Sequence, residues 1–212
     1  GTAPRGGPGE QARDRADAVV VSIFVNPLQF PANEIPANYP RRLDADLELC
    51  ATAGAEIVFT PPADEIYPRG YSTYVSEDVT SRMLCGPSRP THFRGVTTLM
   101  VKLLNIVQPD FAFFGQKTVQ RAAVVRKMAL DLNFPVEVVV VPTAREADGL
   151  AAGVRNRDFT ASMRQEALAI HAALSRAKEM VEAGVRSPDR LVAEATHIMG
   201  QRRRVRIIYV AM

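Results

Sequence analysis

Val19-Val20-Val21-Ser22-Ile23-Phe24-Val25-Asn26-Pro27-Leu28-Gln29-Phe30 decides how this chain folds. From Ala18 to Val25, seven of eight residues are apolar and four are Val, the pattern of a short strand buried on both faces of a parallel sheet. Asn26-Pro27 stops it, because Pro has no N–H for a ladder and holds its predecessor extended. Polar Asn26 and Gln29 therefore emerge where the strand ends. In open α/β sheets, ligands bind in the crevice outside the carboxyl ends of the strands. Two readings of the pair stand side by side: a ligand-facing loop, or a turn capped by Asn26 with Gln29 in solvent.

Outward from this run, the chain alternates strands and helices. Residues 1–9 are a Gly/Pro-rich loop and 10–17 a short charged helix. A polar connection bearing Pro31, Pro36 and Pro40 leads to a helix over 41–54, with Leu43, Leu47, Leu49 and Ala51 near helical spacing and Gly54 at its end. A strand over 56–60 ends at Pro61-Pro62. This spacing predicts parallel strands joined by a right-handed crossover. Residues 63–90 are irregular, apart from an edge strand over 71–76 and a short helix near 80–83. A helix over 91–108 carries Val96, Leu99, Met100, Leu103 and Val107 on its apolar face, with Met100 in the core. After Pro109 come a strand over 110–114, a helix opened by Gly115-Gln116-Lys117 and running to 133, and a strand over 135–141. The repetition predicts an α/β fold, a doubly wound parallel sheet over 1–143.

From residue 144 the character changes, which predicts a partial, smaller α+β domain over 144–212. It has a polar turn at 145–149, a long helix capped by Thr160 or Ser162 and running to 183, a helix over 189–199, and a strand over 205–210. A lone strand cannot satisfy its backbone, so that last strand calls for a partner elsewhere.

Composition excludes several classes. The 212 residues carry 26 basic and 23 acidic side chains, a net charge of +3, which gives no broad attraction to nucleic acid or membrane. The basic run Arg202-Arg203-Arg204-Val205-Arg206 has no interleaved aromatic residues and reads as a solvated turn. Cys50 and Cys85 form no paired motif, which argues against a disulfide or zinc scaffold and fits a reducing cytoplasm. His92, His171 and His197 are too scattered for a metal triad. No apolar run reaches the roughly 18–20 residues of a membrane span.

Three stretches carry polar groups suited to chemistry: Asn26–Gln29, Gly115–Lys117, and residues 143–155. Glycine at a strand-to-helix turn lets backbone approach a ligand, and a cation in the first turn of a helix opposes the dipole unless an anion binds there. Arg155 either clamps a phosphate or pairs with Asp148 or Asp158. No Ser/His/Asp triad or complete P-loop is present. Residue chemistry alone thus defines an α/β protein with a rim suited to an anionic ligand.

Several segments, in order, closely resemble the pantothenate synthetase family: SIFVNPLQF, YPRRLDADLELC, EIVFTP, EIYP, SRPTHFRGV, VKLLNIVQPDFAFFGQK, PVEVVVVPTAREADGLA and RNR. The resemblance covers nearly all of 15–212 and implies a nucleotidyltransferase-like Rossmann domain, a smaller domain closing over nucleotide, and a cytoplasmic homodimer. It implies that ATP, with Mg2+, adenylates pantoate, releasing pyrophosphate, and that the amine of β-alanine then displaces AMP. Gln29 and Asn26 match the family's loop for pantoate and β-alanine, and Arg121 stands where a second pantoate-binding glutamine is expected. Gly115, Gln116, Lys117 and Thr118 match its Gly-Glu-Lys-Asp nucleotide loop, with Gln116 and Thr118 replacing the two acids. Ala144 and Ala152-Gly153-Val154-Arg155 match the remaining ATP contacts, and of the family's Met-Ser-Ser-Arg only Arg155 survives. The family's His-x-Gly-His segment, which supplies its proton donor, falls on GTAPRGG, with no histidine before His92. The resemblance also places the family's first strand before Gly1 and leaves much of its C-terminal domain unmatched, which predicts a poorly stable isolated chain. Lys117 and Arg155 remain as the phosphate-neutralising candidates. Impaired catalysis, or a non-catalytic module that binds a ligand or a partner, is therefore expected of this chain.

Overall fold

The computed structural model describes residues 8–30 and 42–212, so expectations for 1–7 and for the proline-bearing connection at 31–41 lie outside the described residues. The chain divides into two compact units, Gly1–Thr143 and Ala144–Met212.

The first unit runs α1 (Pro8–Arg13), β1 (Val20–Ser22), α2 (Leu43–Thr52), β2 (Ile57–Phe59), α3 (Ala63–Ile66), α4 (His92–Val107), β3 (Phe111–Gly115), α5 (Val119–Asp131) and β4 (Glu137–Val141). β1 pairs in parallel with β2, Val20 opposite Ile57 and Ser22 opposite Phe59. β3 pairs in parallel with β4, Phe111 opposite Glu137 and Gly115 opposite Val141. The α/β class and the parallel pairing stand as expected. The described residues form two separate two-stranded sheets rather than one continuous sheet.

That division explains a correction. β1 is three residues long and is not buried on both faces: Val19 is buried, Val20 and Val21 are half-buried and Ser22 is exposed. Among the described residues, β1 has a neighbouring strand on one edge only, β2. The edge strand expected over 71–76 does not form. There the backbone of Val75 bonds to side chains of α4 instead: its N–H donates to the Thr98 hydroxyl at 3.0 Å, and its carbonyl accepts from the Thr97 hydroxyl. The two threonine hydroxyls thus take the place of a neighbouring strand.

The core lies between α4, α5 and β4 and is built from Phe93, Val96, Leu104, Val124, Val125, Met128 and Val138. Met100 packs against it, as the helical spacing predicts. α4 ends at Gln108, which takes a left-handed conformation (φ 49°) and returns its N–H to the Leu104 carbonyl, before Pro109 forbids continuation. The residues after α1 are tied to the second sheet by Arg15, which pairs with Glu137 at 3.0 Å and lies over the Phe111 ring at 4.3 Å.

The second unit contains α6 (Ala161–Ala167), α7 (Ala169–Glu182) and α8 (Pro188–Gly200). Thr160 caps α6 by accepting from the Met163 N–H, and Ser187 caps α8 by accepting from the Arg190 N–H. The single long helix expected to 183 is broken at Leu168 into α6 and α7. α7 packs on α8, and their buried residues are Ala169, Ala173, Leu191 and Ala195. The strand expected over 205–210 does not form: those residues lie in no ladder, because the unit offers no strand to pair with. Its one β interaction among the described residues is an antiparallel bridge between Arg145 and Ala151.

Candidate functional site

The loop after β1 contains a single 3-10 turn, Pro27–Gln29, fastened to the first turns of α4. Asn26 is 4 % exposed and both ends of its amide are engaged. Its Nδ2 donates to the Gly95 carbonyl at 2.9 Å, and its Oδ1 accepts from the Leu28 N–H at 3.1 Å. Asn26 is therefore the cap of the turn, one of the two readings left open by the sequence, and it positions the loop. The loop lies so close to α4 that a Cβ on Gly95 would stand 2.6 Å from the Leu28 carbonyl oxygen. Gln29 is half-buried, and its side-chain amide makes no hydrogen bond to any described residue.

His92, at the start of α4, brings Nδ1 to 3.5 Å from the Gln29 carbonyl oxygen. Burial holds its pKa below the ordinary histidine value; the Gln29 carbonyl partly opposes this, and the Arg121 and Arg89 guanidinia push it lower still. His92 thus meets the loop after β1 at Gln29 and feels the charge of Arg121 on α5. The sequence singled out Gln29 and Arg121 but passed over His92, whose only visible signal was its place three residues before Gly95 at the start of a helix.

The turn after β3 is Gln116–Thr118, and all three of its side chains are exposed. Thr118 donates to the Gly115 carbonyl at 3.3 Å. A Cβ on Gly115 would meet nothing within 4 Å, so the space above this strand end is open. Gln120, which the sequence left unremarked, is buried and anchors the 80–85 loop. Its Nε2 donates to the Thr80 and Met83 carbonyls at 3.1 and 2.6 Å, and its Oε1 accepts from the Cys85 N–H at 3.1 Å. Its neighbour Arg121 lies close enough to His92 for the guanidinium charge to act on that ring.

In the second unit, Ala144 to Arg157 forms a tight returning loop. The Ala152 N–H donates to the Ala144 carbonyl at 2.9 Å and the Glu146 N–H to the Leu150 carbonyl at 2.8 Å. Gly153 opens a 3-10 turn, Val154–Asp158, without a side-chain cap. Gly153, Val154 and Arg155 are exposed. Asp148 pairs with Arg164 rather than with Arg155, and no carboxylate among the described residues pairs with Arg155. The Asn156 amide and then Arg164 hold Glu146 below the ordinary carboxylate pKa; Arg164 and then the Leu150 N–H do the same for Asp148. A carboxylate whose folded pKa is depressed contributes stability above its unfolded pKa and loses it as pH falls through the folded value. Asp148→Asn is accordingly expected to lower the melting temperature at pH 7, and the gap to the parent is expected to close as pH is taken below about 4. Thermal melts of the two proteins from pH 7 to 3 check this; a gap independent of pH would refute it.

Paired parallel strands whose carboxyl ends carry polar, cationic and open surfaces define an α/β protein with strand ends suited to an anionic ligand. Known proteins agree with this class and narrow it. The model of the family described as Pantoate-beta-alanine ligase matches residues 9–212. Pantothenate synthetase from Moorella thermoacetica is 53 % identical over 175 residues, covering 82 % of this chain and 62 % of that protein. The one from Heliobacterium modesticaldum is 54 % identical over 181 residues, covering 85 % and 64 %. The crystal structure of pantothenate synthetase from Thermus thermophilus superposes with a TM-score of 0.91 at 39 % identity, covering 99 % of this chain and 76 % of that one. The ligase from Francisella tularensis, complexed with beta-gamma ATP and beta-alanine, does so with a TM-score of 0.70 at 26 % identity, covering 93 % and 75 %. The chain belongs to the pantoate–β-alanine ligase family. It spans a little over three fifths of the length of these two sequence relatives. No helix among the described residues is long and apolar enough to cross a membrane.

Proposed function

We propose that this chain performs, at a reduced rate, the ATP-dependent condensation of pantoate with β-alanine through a pantoyl-adenylate. The observation that carries the reading is Gln29: its loop is pinned to α4, its backbone carbonyl meets His92, and its side-chain amide is unspent among the described residues. In this reading Gln29 and Arg121 hold pantoate, with Asn26 shaping their loop. Gly115, Gln116, Lys117, Thr118, Ala144 and Ala152–Arg155 receive ATP, and Lys117 and Arg155 neutralise charge on the leaving pyrophosphate. Mg2+ would arrive on the phosphates of ATP; the described residues contain no group of three or more acidic, His or Cys side chains placed to hold an ion. A cytoplasmic homodimer acting only on small molecules completes the proposal.

The reduced rate follows from the loops. Gln116 and Thr118 supply no carboxylate, and Gly153 and Val154 supply no hydroxyl to a phosphate oxygen. Removing one such donor commonly costs about 10²–10³ in rate. The same observation favours a second reading, in which the chain binds ligands without turning them over. Pantoate-dependent exchange of pyrophosphate into ATP is expected to be undetectable or very slow, while calorimetry detects binding of ATP and pantoate. Exchange at the rate of a full-length relative would overturn the impairment, and a chain that binds neither ligand would overturn the site.

A further inference from the structure

We propose that Arg164 is a positioning residue for the nucleotide loop, acting on Arg155 through a fork of carboxylates rather than touching the ligand. The inference rests on the reading of Arg155 as a phosphate contact.

Arg164 lies on α6 and reaches back 16 and 18 residues to both ends of one turn. Its Nε donates to Asp148 Oδ2 and a terminal NH2 to Glu146 Oε2, each at 2.6 Å. Both carboxylates pass the restraint on. The second oxygen of Asp148 accepts from the Leu150 N–H at 3.1 Å, closing the turn. The second oxygen of Glu146 accepts from Asn156 Nδ2 at 2.7 Å, and the same amide donates to the Ala151 carbonyl at 2.9 Å. Asn156 is the residue after Arg155, in the same 3-10 turn. A rigid planar guanidinium is thus connected, through two bonds in series, to the backbone that carries Arg155.

Beyond the backbone bond at Ala151, no other side chain of the turn, among the described residues, adds to that restraint. Gly149 takes φ +92° beneath the His171 ring, and Arg145 reaches only the Gly149 carbonyl, at 2.9 Å. Neither bonds to the 153–156 segment. Without Arg164, the Glu146 carboxylate keeps only the Asn156 amide, and that side chain is no longer fixed against α6. Lysine would keep the charge but is a point donor that cannot address both carboxylates in one plane.

The test is a double-mutant cycle on ATP binding, read by calorimetry on the chain, Arg164→Met, Arg155→Met and the pair. Arg164→Met is expected to weaken ATP on the order of tenfold, the scale of coupling within one hydrogen-bonded network. Arg164→Lys is expected to recover only part of that loss. In the Arg155→Met background, Arg164→Met is expected to cost almost nothing more, because its effect passes through Arg155. Unchanged affinity in Arg164→Met, or losses that simply add, would overturn the proposal. Should the parent chain bind no ATP, the reading of the site fails, and the side-chain amide of Asn156 decides the inference separately by NMR. Its resonance is expected to shift and lose exchange protection in Arg164→Met; an unmoved resonance overturns the linkage.

Discussion

Gly95→Ala is expected to destabilise the first unit and to abolish measurable pantoate binding together. The added Cβ would stand 2.6 Å from the Leu28 carbonyl oxygen, 2.7 Å from its carbon and 2.9 Å from its Cβ. Two of those three atoms are backbone, so no rotamer change relieves the clash, and either the loop or α4 must move. Overpacking of this kind typically costs about 1–3 kcal/mol. Movement of the loop also breaks the bond from Asn26 to the Gly95 carbonyl, a buried contact whose loss leaves two polar groups unpaired at about 1–3 kcal/mol. Gln29 rides on that loop, and its distance to His92 depends on the same joint. Thermal melts and titration with pantoate measure the two effects. Because a steric variant can fail to fold, Asn26→Ala serves beside it: it loosens the joint without adding bulk and is expected to weaken pantoate with a smaller drop in melting temperature. Retained pantoate affinity in both variants would show that the joint does not set the Gln29 loop.

What the sequence made legible was whatever depends on neighbours along the chain. α4 lies between Pro90 and Pro109, β3 follows Pro109, and both show their periods locally, so their extents agree with the structure to within a residue or two. The polar residues at strand ends were legible for the same reason. What depends on distant partners was not. Asn26 bonds to Gly95 69 positions away, Gln120 to a loop 35–40 positions away, and Arg164 to acids 16 and 18 positions before it. The run at 205–210 has strong strand propensity, yet propensity supplies no second strand, and without one the ladder is absent. The break at Leu168 leaves no mark either, since its backbone stays close to helical (φ −62°, ψ −18°) and neither Gly nor Pro announces it. Gln116, Thr118, Gly153 and Val154 are a third kind of case: their identities are plain in the sequence, but only the exposed turns on which they sit show that nothing in their own loops has replaced the missing groups.

Restoring hydroxyls to the nucleotide loop, as Gly153→Ser with Val154→Ser, is expected to raise ATP affinity while leaving stability nearly unchanged. Gly153 sits at φ −173°, ψ 143°, extended backbone that serine adopts without strain, and both positions are exposed. Gly153 is also the uncapped start of the 3-10 turn. Serine there would offer its oxygen to the first free N–H groups, but replacing Gly by Ser at such a position changes stability by only a few tenths of a kcal/mol. The ligand term is larger. A hydrogen bond from a neutral donor to a charged acceptor contributes about 1.5–3 kcal/mol, and roughly 1.4 kcal/mol is tenfold in affinity, so each hydroxyl that reaches a phosphate oxygen is worth about tenfold or more. The gain also depends on Arg155 staying in place, so it is expected to vanish in the Arg164→Met background. Calorimetric titration of the double serine variant with ATP, beside a thermal melt, separates the two terms. A higher melting temperature with unchanged ATP affinity would mean that the serines act only as caps and that this turn does not meet the phosphates.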